Sequence, residues 1–560
     1  MATDPLVRRQ WNEAKASCGR GWQLLRHRGP GQVQFWFIAL AIGIAAGTAA
    51  LLFRKAIEGL QTALYGTEDV NLLASFAETL PWYLVLLIPV AGGLVVGLIV
   101  HFFTPDGRVR AVADVIEGAA LYNGRVERKA GIASVLASWI TLSTGGSSGR
   151  EGPVVHMAAM ISSWVSNLIR ADGITGRDLL GCAVAAAVSA SFNAPIAGAL
   201  FALEVVLRHF ALHAFAPIVV ASAAGTVINR LAFGDVTEFR LPGTTVVEFY
   251  LELPAFLLLG LVCGLVAVIT MRGIFWADDL GSRLQRRLSL PNLLRPATAG
   301  LLLGALAIWF PHIIGVGYET TSRALTGDLI LYEAIVFAVL KVMAVAITFA
   351  GRMGGGIFSP ALMIGALTGM AFGLIATGLF PDQSGASTLY ALAGMGAVAA
   401  AVLGAPISTT LIVFELTGDW QTGLAVMVSV SLSTSLASRL VDRSFFLTQL
   451  ERRNVHLAAG PQAYLLRMFR VSGVMRKMQD LPPEDLEACG EMVAQGLFVN
   501  ATSTLDVVLP LFDTSGRPFL PVVEIHGVEK RPVLQGALFH LDALKAYNRA
   551  LAATAAEEHS

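Results

Sequence analysis

The sequence predicts an all-α polytopic membrane protein made of two similar halves, with a small α/β domain after them. Three observations carry this. Hydrophobic residues make up 55% of the 560-residue chain and charged residues only 14%, with a mean hydropathy of +0.64. A soluble domain carries about 25% charged residues. Apolar stretches recur at residues 35–53, 82–103, 256–271, 297–310 and 335–349, and many are broken by Gly or Pro. Several fall short of the roughly 20 residues of a perpendicular span. Broken helices survive in a bilayer only where their backbone is buried in protein or lines a cavity, which favours a transporter or channel over an anchor. Third, the chain repeats itself. AAAVSASFNAPIAGALFALEVV, ending at Val206, parallels GAVAAAVLGAPISTTLIVFELT, ending at Thr417. Each copy has an Ala-Pro-Ile step and a glutamate nine positions after its proline, Glu204 after Pro195 and Glu415 after Pro406. A Gly-rich loop with a proline opening an apolar helix lies upstream of each, at Pro153 and at Pro360. Repeats with broken helices that meet near the bilayer midplane are a transporter architecture.

In chain order, residues 1–33 form a basic arm with Arg8, Arg9, Lys15, Arg20, Arg26 and Arg28 and no short apolar core, so it is not a secretory signal. An amphipathic helix is expected over residues 11–25. The membrane domain is expected over residues 34–450, with a charge cluster at 105–128 and a polar connection at 230–252 between the halves. Arg439, Arg443, Arg452, Arg453, Arg467 and Arg470 follow the last span. The positive-inside rule puts both termini in the cytoplasm of a cell (plasma or inner) membrane. From about residue 471 the composition becomes mixed, with strand-like runs at 497–499, 519–525 and 532–538, so residues 471–550 read as a small cytoplasmic domain and 551–560 as a frayed tail. The formal net charge is zero, which gives no reason to expect a nucleic-acid partner. Cys18, Cys182, Cys263 and Cys489 are scattered without metal-ligand spacing, and no cofactor is expected.

The functional signal is concentrated in STGGSSGREGPVV, residues 143–155. Small residues from Gly145 to Gly149 allow a tight turn, and Pro153 suits the first turn of a helix. Arg150 and Glu151 then lie at membrane depth, where ionisable groups signal function. A Gly-rich loop feeding a helix N-terminus aims N–H groups and the positive dipole end at one spot, which suits an anion. His156, five residues on, is a candidate for tuning proton access. Glu204 and Glu415 read as capping or pairing residues. No paired carboxylate or metal-ligand set lies near Glu151 and His156, so an intramembrane hydrolase, or any enzyme, is not expected.

GREGP (Gly149–Pro153) and GIFSP (Gly356–Pro360), with FNAPIAGALFALE (Phe192–Glu204) and GAPISTTLIVFELTG (Gly404–Gly418), resemble the signatures of the CLC family of chloride channels and proton-coupled chloride exchangers. The similarity covers about residues 34–450. It implies a homodimer with one pore per subunit, each pore built from two inverted repeats of many short tilted helices. It implies chloride or another small anion as the transported partner, with protons as a second partner in exchangers. By the same resemblance Glu151 is the gate, its carboxylate occupying an anion position until protonated or displaced. The amides of Gly149, Arg150, Glu151, Gly356, Ile357 and Phe358 are implied anion donors. Residues 505–524 and 533–547 are similar to one half of a CBS regulatory domain, with no clear first half around 474–493.

Three departures shape the expected function. Val109-Arg110-Ala111-Val112-Ala113-Asp114 stands where the family has roughly Gly-Ser-Gly-Ile-Pro-Glu, so Arg110 replaces the central-site serine and is a candidate anion ligand or plug. Phe446 stands where the pore tyrosine is expected and has no hydroxyl. Val205 follows Glu204 where exchangers carry an inward-facing glutamate, so the internal proton site is absent. Passive, channel-like conduction is therefore favoured. A proton–anion antiporter is the alternative, and a non-conducting membrane sensor with a decayed pore is the second.

Overall fold

The computed structural model describes residues 31–66, 69, 72–210, 212–234, 249–381, 384–455, 457, 466, 469–526 and 531–559. The expected amphipathic helix at 11–25, Cys18 and most of the 230–252 connection lie outside these. The chain divides into two compact units, Met1–Leu207 with Phe215–Val455, and Arg208–Ala214 with His456–Ser560.

The named elements of the first unit are helices among its described residues. Its first half comprises α1 (Gln32–Tyr65), α2 (Leu73–Thr79), α3 (Trp82–Phe103), α4 (Val112–Leu121), α5 (Arg128–Ser143), α6 (Glu151–Ile169), α7 (Gly173–Phe192), α8 (Pro195–Phe201) and α9 (Leu212–Phe233), with a π turn at Ala202–Leu207 after α8. The second comprises α10 (Phe249–Arg287), α11 (Arg295–Trp309), α12 (Tyr318–Thr326), α13 (Leu331–Ala350), α14 (Phe358–Leu379), α15 (Ser387–Leu403), α16 (Pro406–Thr417), α17 (Trp420–Leu440) and α18 (Phe445–Glu451). Among the described residues eight helices are long and apolar enough to cross a membrane, and three shorter apolar ones lie at Pro195–Leu207, Ser387–Leu403 and Pro406–Thr417. The chain is thus a multi-pass membrane protein. Two expected stretches prove longer than their apolar cores. Residues 35–53 belong to a helix of 34 residues, and 256–271 to one of 39. Both exceed what a perpendicular crossing needs, so they cross tilted or continue past the bilayer.

Small residues let the inner helices touch backbone to backbone. A Cβ at Gly369 of α14 would collide with the Tyr390 carbonyl of α15. The repeat seen in the sequence reappears as matched geometry. The Ala-rich helices α7 and α15 end at residues in the left-handed region, Asn193 (φ 56°) and Gly404 (φ 69°). Pro195 and Pro406 then open α8 and α16, where a missing N–H costs nothing. Each short helix is capped by the glutamate of the other. Glu204 accepts hydrogen bonds from the N–H groups of Ile407 (2.9 Å) and Ser408 (2.8 Å). Glu415 accepts from those of Ile196 (2.9 Å) and Ala197 (2.7 Å). Carboxylates at helix N-termini satisfy orphan donors and complement the dipole, so capping is what these two glutamates do.

The second unit carries α19 (Val471–Val474), β1 (Arg476–Lys477), α20 (Pro483–Ala494), β2 (Val499–Asn500), α21 (Leu505–Ser515), β3 (Phe519–His526), β4 (Arg531–Phe539) and α22 (His540–His559). The sheet order is β1-β4-β3-β2, with β2 parallel to β3 and the other pairs antiparallel. Val508, Phe512, Leu520, Val522, Leu538 and Ala543 fill one core, and Leu481, Cys489, Met492, Phe519 and Ala537 a second. This α/β arrangement is consistent with a CBS-like domain. Two expectations change, and the stretch at 474–493 takes a definite form. The run at 497–499 contributes only Val499 to a strand, because Leu497 turns into the cores. Residues 474–493 form mainly α20, which supplies Cys489 and Met492 to the second core. The tail from 551 continues α22 as far as His559, since its alanines favour helix.

Candidate functional site

Two glycine-rich loops meet in the first unit. One follows α5 and ends at α6; the other follows α13 and ends at α14. Gly149 and Gly356 exchange a pair of backbone hydrogen bonds, each 2.7 Å, forming an isolated antiparallel bridge. The approach demands glycine. A Cβ at Gly149 would collide with the Glu151 carboxylate, and one at Gly356 would lie 2.9 Å from the Gly152 nitrogen. The bridge brings the N-termini of α6 and α14 together, so two helix dipoles converge on one place.

Glu151 begins α6 there and is 2% exposed. Its carboxylate accepts a hydrogen bond from the Ser359 hydroxyl and one from the Ser359 backbone N–H at 3.4 Å. Its own backbone N–H also bonds it, and the Arg150 charge attracts it. A buried carboxylate is tolerated when donors surround it in this way. The Arg150 guanidinium donates to the Ser191 carbonyl at 3.0 Å and lies 5.3 Å from the Tyr318 ring. An anion in place of the carboxylate would meet the same donors.

The structure sorts the other sequence-predicted residues. Gly149 and Gly356 build the bridge, and their N–H groups are spent on each other, so they are not anion donors in this arrangement. Ile357 and Phe358 are buried at the start of α14, and the Phe358 ring packs on Phe192 (4.7 Å between centroids) and Phe201 (5.6 Å). Phe446 is buried on α18 beside Phe445. Val205 is buried in the π turn. The His156 ring fills space that Gly131 leaves open: a Cβ there would lie 2.8 Å from Nε2.

Arg110, the candidate anion ligand or plug, is engaged by acidic partners. Its guanidinium pairs with Asp106 (2.8 Å), Asp114 (3.5 Å) and Glu127 (3.3 Å), and its backbone N–H donates to Ser134 (2.7 Å). Two of these carboxylates are shared, Asp106 with Arg108 and Asp114 with Arg453. Asp106 lies in the loop between α3 and α4. Burial works to raise its carboxyl, but the hydrogen bonds and charges of Arg108 and Arg110 win and hold it below the usual carboxylate range.

Sequence reasoning missed two residues. Ser359 lies inside GIFSP, and its role appears only once Glu151 is brought to it across 208 positions. Lys341 of α13 is fully buried, and its Nζ donates to the carbonyls of Gly315 (2.9 Å) and Ile313 (3.3 Å). A lone lysine inside an apolar stretch was the available signal.

Residues 92–438 match the voltage gated chloride channel family. A Ralstonia nicotianae protein named as a ClcB-like chloride channel protein is 32% identical over 396 residues, covering 70% of this chain and 91% of that protein. A Cronobacter sakazakii protein named H(+)/Cl(-) exchange transporter ClcA is 29% identical over 433 residues, covering 76% and 91%. The crystal structure of a slow cyanobacterial Cl-/H+ antiporter shares the fold, with a TM-score of 0.67 at 21% identity over 76% of this chain and 98% of that one. The paired loops, the reciprocally capped repeats and these matches lead to one conclusion: the chain belongs to the voltage gated chloride channel (CLC) family.

Proposed function

We propose that this protein carries chloride, or another small anion, across a cell membrane by passive, channel-like conduction, with Glu151 as the gate. The observation that carries the proposal is the Glu151 carboxylate seated on Ser359, between two helix N-termini, in the place an anion would take. Protonation or displacement of the carboxylate frees those donors. The remaining anion donors are the amides of Arg150, Glu151, Ile357 and Phe358, and Phe446 narrows the path. The working form is a homodimer of the plasma or inner membrane with both termini cytoplasmic, and residues 471–550 act as a CBS-like domain. Val205 supports passive conduction, because it cannot carry a proton at the position where an inner carboxylate would.

Proton-coupled antiport is the second reading. It is favoured by the relative named as an exchange transporter and by Glu151 itself, which can bind a proton. The sensor reading rested on Arg110 and the lost first motif, and the carboxylates that pair with Arg110 weaken the first of these supports. Chloride efflux from liposomes holding the purified protein, with a pH electrode outside, separates the readings. Passive conduction gives chloride efflux without proton uptake. Proton uptake that vanishes in Glu151→Gln while chloride still moves establishes antiport. An absence of any anion flux overturns both.

A further inference from the structure

The first unit holds a cavity of about 370 Å³ walled by four guanidinium groups, Arg108, Arg352, Arg452 and Arg453, against two carboxylates, Asp278 and Asp279. Small-molecule sites have volumes of roughly 300–1,000 Å³. The carboxylates are already engaged: Asp279 pairs with Arg452, and Asp278 with Arg295 at 2.9 Å. Arg453 is tied to Asp114 at 2.9 Å. Donors are left over on the other two arginines. Arg108 gives one edge of its guanidinium to Asp106 at 2.6 Å, while its Nη1 is buried with no partner. The Arg352 guanidinium has no hydrogen bond or ion pair among the described residues, and it faces the like charge of Arg295. Arg352 is also held in the left-handed region, at φ 54°. That conformation is uncommon outside glycine and concentrates at ligand clamps. Gly355 lines the same cavity, and its neighbour Gly356 is the bridge partner of Gly149. The cavity wall therefore continues into the loop that seats Glu151.

We propose that this cavity binds a doubly charged oxyanion of the phosphate type through Arg352 and Arg108, and that its occupant obstructs anion passage. The flat guanidinium fork fits two oxygens of a tetrahedral oxyanion at once. A halide ion offers a single centre and matches the two parallel donors of the fork less well. Excess positive charge on the walls favours a dianion over a monoanion. The binding half of this proposal stands without the transport reading; the obstruction half rests on it.

The test uses the full-length protein and inorganic phosphate. Equilibrium dialysis of the detergent-solubilised protein against radiolabelled phosphate measures binding. Chloride efflux from zwitterionic vesicles, with phosphate on both faces at matched ionic strength, measures obstruction. Saturable binding is expected, with efflux inhibited over the same concentrations. Arg352→Gln and Arg108→Gln should each weaken both by about tenfold, through loss of a charge-assisted contact. Arg352→Lys should weaken them less, and the exposed Lys129→Gln not at all. Absence of saturable binding, or binding unchanged in both glutamine variants, overturns the proposal. Binding without inhibition overturns the obstruction half. Arginine-dependent binding in a protein that moves no chloride even without phosphate supports the site and sinks the transport reading instead. Inhibition by phosphatidic acid in the vesicle wall, with none by free phosphate, assigns the arginines to a lipid headgroup and overturns the free-anion proposal.

Discussion

On the proposed reading of Glu151 as the gate, its contact with Ser359 sets how firmly the gate is held. A hydrogen bond to a charged group is worth about 1.5–3 kcal/mol, so Ser359→Ala should raise the population of displaced carboxylate roughly tenfold or more. Chloride efflux from liposomes at neutral pH should rise accordingly; an unchanged rate would mean that the hydroxyl does not restrain the gate. Lys341 has the opposite character, since it holds structure together. Lys341→Met keeps the bulk but removes the donor from two buried carbonyls, at about 1–3 kcal/mol each. The solubilised protein should melt several degrees lower, and no shift would show that the Ile313 and Gly315 carbonyls find other donors. Glu151 was legible in the sequence because an acid between a glycine run and a helix-opening proline has few bland explanations. Ser359 and Lys341 were not, because their meaning lies in partners far along the chain. Two of the Arg110 partners, Asp106 and Asp114, lie only four residues away within the charge cluster the sequence displays, whereas Glu127 is 17 residues away.

Helix starts are the most informative elements. The reciprocal caps make α8 and α16 depend on each other, so Glu204→Ala and Glu415→Ala should each lower the melting temperature, by about 1–3 kcal/mol of stability. The double variant should fall short of the sum if the two caps report one interface. Full additivity in thermal unfolding would mean that the short helices are held independently. The repeat itself could be read from Ala-Pro-Ile and the glutamate spacing. The exchange of caps could not, because it joins residues 203 to 219 positions apart. Helix lengths were underestimated because hydropathy marks the apolar core of a helix and not its polar ends. In the second unit, α20 buries Cys489, and burial followed by the charge of Asp485 pushes its thiol up to about 11. Thiolate is the reactive form, so at neutral pH Cys489 should label with maleimide roughly a hundredfold more slowly than an ordinary thiol. The rate should climb as pH approaches that value or when the protein is unfolded. Fast labelling of the native protein would show that α20 opens readily.

At the scale of the whole molecule, composition and broken apolar segments were enough for the membrane class, because 14% charge cannot cover a soluble surface. The two-halved architecture also followed, since a duplicated pattern of loop, helix and glutamate needs a duplicated fold. What the sequence hid was closure: which loop touches which, and which charges are already taken. Pairing of Gly149 with Gly356 supplies that closure, and it bears on how the protein is made. The ribosome delivers α6 some two hundred residues before the strand of loop that completes it. Through all that time Glu151 has no Ser359, and the 144–150 loop has no edge to pair with. A half-synthesised chain is therefore a poor guest for the bilayer and a natural target for insertion chaperones and membrane proteases. Truncations before Gly356 should be cleared from cells, and the first half should persist only when the second is supplied alongside it.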